Sequence, residues 1–322
     1  MSVIFLNFFL RWGAWAFVFN TMEMNKIYHN DWMNNTLEDK SVQLIIADPP
    51  YFEVKGEFDF IWKSFDEYLT DVERWAKECK RLLADNGTLF WYGHAKKIAY
   101  SQIIFDRYFN LENNIAIEFN RQTKKGVEQF RCFAPVSERL LMYSNAKDNS
   151  PFAELINKRM QELNLKEMDF RKLRPSKNGI PTGWMSNISL GKNMPTKEDW
   201  EMIETLIQSG VDFETLSDEY ENKRRCFNNY LKLYDIMNFD QEAHITRNYD
   251  HDTCKPETLT RALILTCSRP NETVLMPFAG SGTECAMCAR EKRNFIGFDV
   301  TEKYVTMGND RCNEVFKTPS LF

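Results

Sequence analysis

The sequence predicts an α/β protein built on a parallel sheet. Three features predict it: short apolar runs rich in β-branched residues, amphipathic helical stretches between them, and turn residues at the carboxyl ends of the runs. The chain has 322 residues, 43% apolar and 27% charged, with 13 glycines and 11 prolines. That length exceeds one usual domain of about 100–200 residues, and the composition excludes disordered and fibrous classes. A net charge of −5 excludes a uniformly basic nucleic-acid binder, though not a locally basic face. Eight cysteines are too few for a disulfide-stapled secreted domain of this size, so a cytoplasmic protein with reduced thiols is expected. Only Cys285 and Cys288 form a Cys-x-x-Cys pair. A zinc site needs about four ligands, so these two are expected as small apolar residues on a helix, with no metal.

Taken in order, residues 1–24 form an apolar extension interrupted by Asn7 and Arg11. The cation sits within the run rather than before it, which argues against a secretory signal, and the interruption argues against a spanning helix. No membrane role is expected, and Met22 or Met24 is the expected natural first residue. Val42–Ala47 is a buried parallel strand that must stop at Asp48-Pro49-Pro50-Tyr51, since proline cannot continue a central strand. Phe65–Ala84 is an amphipathic helix ended by Asn86-Gly87, and Thr88–Tyr92 is the next strand. Lys96–Tyr108 is a helix, and Asn114–Phe119 and Leu140–Tyr143 are strands. From about residue 145 to 248 the strand rhythm breaks, with helices expected over Lys197–Ser209 and Glu214–Tyr230. It returns with a helix over Pro256–Ser268, a strand over Thr273–Met276, a helix reaching Arg290, a strand over Asn294–Phe298 and a closing helix over Glu302–Val315.

Two turns carry chemistry. Phe278-Ala279-Gly280-Ser281-Gly282 lies between a strand and a helix. Glycines let the backbone approach a ligand there, and a helix N-terminus offers free N–H groups. Asp299 stands 19 residues beyond Gly280 at the end of the next strand, where a carboxylate accepts hydrogen bonds from ribose hydroxyls. This describes a nucleoside-type cofactor site. The residues leave the nucleoside open: Cys285 stands where a dinucleotide loop would have its third glycine, and no Gly-Lys-Ser/Thr follows, which excludes a P-loop. At Asp48-Pro49-Pro50-Tyr51, two prolines fix the backbone so that a carbonyl and a carboxylate can face one point. Tyr51 adds a flat face. The set suits a planar amine, such as the exocyclic amine of adenine or cytosine, presented on a base taken out of its duplex.

With these motifs the sequence resembles the DNA amino-methyltransferases of the permuted class, in which the catalytic motif precedes the cofactor loop. The matching pieces are Asn30-Asp31, Asp48-Pro49-Pro50-Tyr51, Cys254-Lys255-Pro256-Glu257, Pro277-Phe278-Ala279-Gly280-Ser281-Gly282-Thr283 and Gly297-Phe298-Asp299. They span residues 25–145 and 250–315. The resemblance implies a Rossmann-like methyltransferase sheet, mostly parallel with one reversed strand. It places the methyltransferase domain over 25–145 and 250–318 and a mainly helical target-recognition segment over 146–249. It implies S-adenosylmethionine as cofactor, with Phe278, Gly280 and Gly282 shaping the pocket, Asp299 on the ribose, Asp31 on the adenine, and Lys255 and Pro256 along the rim. Asp48, Pro49, Pro50 and Tyr51 would form the catalytic motif, and Asp-Pro-Pro-Tyr is more typical of adenine-N6 than of cytosine-N4 enzymes. The expected activity is therefore adenine-N6 methylation of double-stranded DNA. The alternatives are a cytosine-N4 enzyme or a catalytically impaired DNA-binding relative. The latter is suggested by Met276, which stands where the family usually has aspartate and is expected to face the pocket rim. A homodimer and a cognate restriction endonuclease are compatible partners.

Residues 121–192 hold 14 Lys and Arg against 7 Asp and Glu. A basic zone inside an acidic protein is an electrostatic footprint for phosphates. Arg121, Lys124, Lys125 and Arg131 around Gly126 are expected to contact DNA, as is a second cluster, Lys223, Arg224 and Arg225, on a helix.

Overall fold

A computed structural model of the chain describes residues 22–54, 59–119, 133, 137–145, 150–174, 183–239 and 254–317. Eight strands form one sheet among these residues: β1 (Lys26–His29), β2 (Val42–Ala47), β3 (Leu83–Gly93), β4 (Asn110–Phe119), β5 (Ser137–Ser144), β6 (Ile236–Phe239), β7 (Thr273–Met276) and β8 (Asn294–Asp299). Their order is β1-β8-β7-β2-β3-β5-β4-β6. β5 runs antiparallel to β3 and β4, and every other pairing is parallel. The sheet thus has the single reversed strand that the resemblance implies.

The central strands are apolar on both faces because both faces are covered. All of β2 is buried except Gln43, which is half-buried. One face packs Ile45, Leu89, Trp91, Leu141 and Phe298 against α1 (Phe65–Leu82) and α2 (Ile98–Phe105). The other packs Leu44, Ile46, Phe90, Met142 and Val274 against α8 (Glu257–Cys267), α9 (Thr283–Arg290) and α10 (Glu302–Lys317). Helix α1 starts at Ser64, whose hydroxyl accepts from the Glu67 N–H, and places Asp66 and Glu67 in its first turn and Lys80 and Arg81 in its last. That arrangement opposes the helix dipole at both ends.

The middle of the chain holds helices α3 (Pro151–Glu162), α4 (Glu167–Phe170), α5 (Trp184–Ser189), α6 (Lys197–Ile207) and α7 (Phe213–Lys223). They share a separate core of Phe152, Ile156, Phe170, Ile188, Trp200, Ile203 and Leu216. The expected insert is helical as anticipated, but β6 falls within its span and pairs with β4 at the sheet edge. Four residues were too few to show a strand period, and Ile236 at 70% exposure offers no core signal.

Several boundaries also move, two of them with a visible cause or a large shift. Helix α1 stops at Leu82, and Asn86-Gly87 lies inside β3, not at a helix end. The register jumps from Val42 opposite Leu83 to Leu44 opposite Thr88, so the extra residues form an irregularity in the strand. A Cβ at Gly87 would lie 2.9 Å from the Ala84 carbonyl oxygen, so a side chain there would press on backbone. Helix α7 ends at Lys223 rather than Tyr230.

Candidate active site

Strands β8, β7 and β2 are neighbours and parallel, so the turns leaving their carboxyl ends meet on one edge of the sheet, the usual ligand edge of such sheets. The turn after β2 carries Asp48, the turn after β7 carries the glycines, and β8 ends on Asp299. From β1 the chain reaches the same edge: the Asn30 N–H donates to the Asp299 carbonyl at 3.1 Å.

The glycine turn is held by its neighbours. Gly280 and Gly282 have φ of 48° and 73°, a left-handed conformation that glycine adopts without strain. A Cβ on Gly282 would lie 2.6 Å from Gly308 Cα on α10. The Gly280 N–H donates to Asp299 Oδ2 at 2.9 Å, and Thr301 N–H donates to Asp299 Oδ1 at 2.8 Å. Ala279, Ser281 and Thr283 turn their side chains inward. Ser281 Oγ meets Cys254 Sγ at 3.1 Å, and Thr283 Oγ1 accepts from the buried Arg311 guanidinium at 2.8 Å. Arg311 also donates to Glu257 Oε1 at 2.6 Å, so three helices brace the turn. Phe278 stands edge-on to Trp32, Trp75 and Trp91 at centroid distances of 6.0, 5.2 and 6.4 Å.

At Asp48 the carboxylate is gripped from two sides. Its Oδ1 accepts from the Tyr51 hydroxyl at 2.5 Å, and its Oδ2 lies 2.9 Å from Lys255 Nζ. Lys255, expected along the cofactor rim, reaches the Asp48 carboxylate. It is buried, pairs with Glu138 Oε2 at 2.9 Å and sits 4.6 Å from the Tyr92 ring centroid. Burial alone would lower its pKa, but Asp48 and Glu138 outweigh burial and raise it above the ordinary lysine value. Burial and the adjacent Asp48 push the Tyr51 phenol well above its usual range, which keeps it a proton donor. The Tyr51 backbone N–H is held by the buried Asp59 carboxylate at 2.5 Å. Pro256 caps α8 and is buried.

Three site residues went unseen in the sequence. Glu138 lies on the reversed strand, where only pairing brings it across from Asp48. Asp59 gave no motif signal. Glu284 follows the glycine turn, and its pKa is raised by burial, with Asp48 adding to the rise, from the ordinary 4.5 to about 7. The sole available sign for it was a carboxylate in an otherwise apolar helix face between Thr283 and Cys285.

A nucleoside cofactor fits the glycine edge. Two protein donors occupy Asp299, and a carboxylate has about four acceptor positions, which leaves room for ribose hydroxyls. The Trp32 indole N–H, buried beside Phe278, has no partner among the described residues. Asp31 is exposed, and its Oδ1 accepts from the Met33 N–H at 2.9 Å.

The sequence profile of the DNA methylase family, which spans N6- and N4-methyltransferases, matches residues 42–310. The chain belongs to that family. It is 26% identical over 286 residues to the type II methyltransferase M.HpaI of Haemophilus parainfluenzae, covering 87% of this chain and 71% of that one. To the DNA adenine methyltransferase YhdJ of Escherichia coli it is 25% identical over 280 residues, covering 85% and 77%. Its fold matches the M1.HpyAVI–SAM complex with a TM-score of 0.51 at 18% identity, covering 89% of this chain and 98% of that one. It also matches the cytosine-N4-specific PvuII DNA methyltransferase with a TM-score of 0.52 at 12% identity, covering 90% of each. The protein is a DNA methyltransferase.

Met276 does not face a pocket rim. It is 1% exposed, within the core cluster that includes Leu259, Leu263 and Ala279. The side chain takes this inward direction because the turn begins only at Pro277. Arg121, Lys124, Lys125 and Arg131 lie outside the described residues. In the second basic cluster, Lys223 pairs with Glu219 at 2.5 Å, Arg224 with Glu221 at 2.7 Å, and Arg225 with Glu112 at 3.6 Å. Lys223 alone is on the helix; Arg224 caps α7 and Arg225 follows it. Among the described residues no group of three or more His, Cys, Asp and Glu could hold a metal ion, and no helix is long and apolar enough to cross a membrane.

Proposed function

We propose that the protein methylates the N6 amine of adenine in double-stranded DNA, with Asp48, Pro49, Pro50 and Tyr51 acting on the target base. The observation that supports this most is the Asp48 carboxylate, held between Tyr51 and Lys255 at the carboxyl edge of β2, beside the glycine turn. Bound S-adenosylmethionine supplies an electrophilic sulfonium methyl. Phe278, the Gly280–Gly282 backbone and Asp299 would hold it, with Asp31 and Pro256 nearby. The adenine amine is a weak nucleophile because its lone pair is delocalised into the ring. An N–H hydrogen bond to Asp48 and another to the Pro49 carbonyl favour a more tetrahedral nitrogen whose lone pair can point at the methyl. Tyr51 gives the extruded base a stacking face. Alignment of this kind can supply about 7–11 kcal/mol of the barrier. Asp48 need not be a strong base, since the nitrogen becomes acidic only once it carries the methyl.

On this reading 25–145 and 250–318 form the catalytic domain, and the helical segment within 146–249 reads the target sequence, with β6 contributed back to the sheet. The basic residues near Gly126 contact phosphate. A homodimer and a cognate endonuclease belong to the same reading, and light scattering and protection of methylated DNA from cleavage test them.

The deciding experiment incubates the protein with labelled S-adenosylmethionine and unmethylated genomic DNA, then identifies the modified base by mass spectrometry. N6-methyladenine supports the proposal. N4-methylcytosine replaces it with the cytosine enzyme, and binding of DNA without transfer indicates an impaired relative.

A further inference from the structure

Lys255 joins three parts of the chain that are remote in sequence. Asp48 leaves the end of β2, Lys255 precedes α8, and Glu138 sits near the start of the reversed strand β5, opposite Ile117 of β4. The Lys255 ammonium lies 2.9 Å from each carboxylate, and it is only 7% exposed. A buried charge needs a partner, and one carboxylate would meet that need. Two are present.

The second carboxylate changes what Asp48 can do. With Asp48 as sole partner, the pair would be neutral and Lys255 would draw the carboxylate toward itself. With Glu138 sharing the ammonium, the three groups carry a net charge of −1. Glu138 also anchors Lys255, so the ammonium holds Asp48 Oδ2 while Tyr51 holds Oδ1. An amine that accepts a methyl becomes cationic before it loses its proton, and a local net negative charge favours that state.

We propose that Glu138 is a positioning residue for methyl transfer, acting through Lys255 to set the orientation and net charge around Asp48. This rests on the assignment of Asp48 to the target amine. Glu138 touches neither base nor cofactor in this scheme. It acts on the turnover step and leaves cofactor binding to the glycine edge.

The test compares wild type with Glu138→Gln, Glu138→Asp, Asp48→Asn and the Glu138→Gln/Asp48→Asn double variant. The readouts are kcat, KM for DNA, S-adenosylmethionine affinity and thermal stability. Because misplacement by about 1 Å can cost on the order of 100-fold, Glu138→Gln should lose roughly 10- to 100-fold in kcat, with cofactor affinity and melting temperature close to wild type. Glu138→Asp, which keeps the charge, should recover part of that loss. The double variant should be no slower than Asp48→Asn, because Glu138 acts through Asp48. Wild-type kcat in Glu138→Gln overturns the proposal, as does a loss explained wholly by lower stability or weaker cofactor binding. Multiplied losses in the double variant also overturn it. If Asp48→Asn itself turns over like wild type, the assignment of Asp48 is what fails, and that outcome is separate from the others.

Discussion

The Gly280 N–H donates to Asp299 Oδ2 at 2.9 Å, so the glycine turn after β7 is tied to the last residue of β8. One carboxylate therefore shapes the turn and retains acceptor positions for a ribose. Asp299→Ala should weaken S-adenosylmethionine binding roughly 10- to 100-fold, given that hydrogen bonds to a charged group are worth about 1.5–3 kcal/mol. Asp299→Asn should fall between, since it keeps one acceptor oxygen. Calorimetric titration measures this, and an unchanged affinity in the alanine variant would remove Asp299 from the cofactor site.

Asp48→Ala should separate catalysis from binding. Lys255 keeps Glu138 as a partner in the variant, so the buried ammonium is not stranded and the fold should survive. Methyl transfer should fall by about 10²–10⁴-fold, the range for a positioned catalytic group, with cofactor affinity within a few-fold of wild type. A transfer assay and a titration on one preparation check both halves. Retained turnover would take Asp48 out of the reaction.

The sheet was legible because its inner strands are covered on both faces. Thr273–Met276 and Val42–Ala47 are mostly apolar runs, and both strands have those bounds. The two turns were legible because glycine and proline leave few backbone choices. What stayed hidden was long-range pairing. Glu138 is unremarkable in Ser137-Glu138-Arg139, and only the antiparallel register of β5 carries it toward Lys255. The strands β1 and β6 are four residues each, too short to display a period of two, and both take their identity from a partner strand. Motif position puts Lys255 on the cofactor rim, and no motif shows that its long side chain also meets Asp48 and Glu138.

Met276→Asp should destabilise the protein, not repair a pocket. The side chain sits in an apolar cluster with Leu259, Leu263, Val274 and Ala279, and an unpaired buried carboxylate costs several kcal/mol. The melting temperature should drop by ten degrees or so, at about 2–4 °C per kcal/mol for larger domains. A stable variant with tighter cofactor binding would show that the side chain can reach the pocket after all.

Glu284 should make stability depend on pH in a direction opposite to that of most carboxylates. Its folded pKa, about 7, lies above the ordinary 4.5. The contribution is therefore fully present below about 4.5 and lost as pH rises through about 7. Glu284→Gln should gain relative to wild type as pH goes from 5 to 8, by an amount on the order of 2 kcal/mol. Urea unfolding of both proteins across that range checks it. Parallel curves would mean that Glu284 titrates like a solvated carboxylate.

DNA binding should weaken steeply with salt even though the whole chain is acidic. The zone from Arg121 to Lys192 is basic while the chain carries −5, so the remainder carries a net negative charge that disfavours docking of a duplex through it. Each phosphate neutralised should add about −0.9 to the log–log slope of affinity against salt. The cluster at Lys223, Arg224 and Arg225 has acidic partners at Glu219, Glu221 and Glu112, and a cation already paired gains less from a phosphate than an unpaired one. The Lys223–Arg225 cluster should therefore add little to the slope, and Arg121, Lys124 and Lys125, in the basic zone of the sequence, are expected to add up to about one phosphate each. Replacing all three with alanine should flatten it by up to roughly three phosphates' worth, with S-adenosylmethionine affinity unchanged because the glycine edge is a separate site. Replacing Lys223 and Arg224 should change the slope by less than one phosphate. Equal slopes for wild type and the triple variant would mean that the 121–125 residues touch no phosphate. A large change from the Lys223 and Arg224 substitutions would mean that DNA displaces their ion pairs and runs along the end of α7.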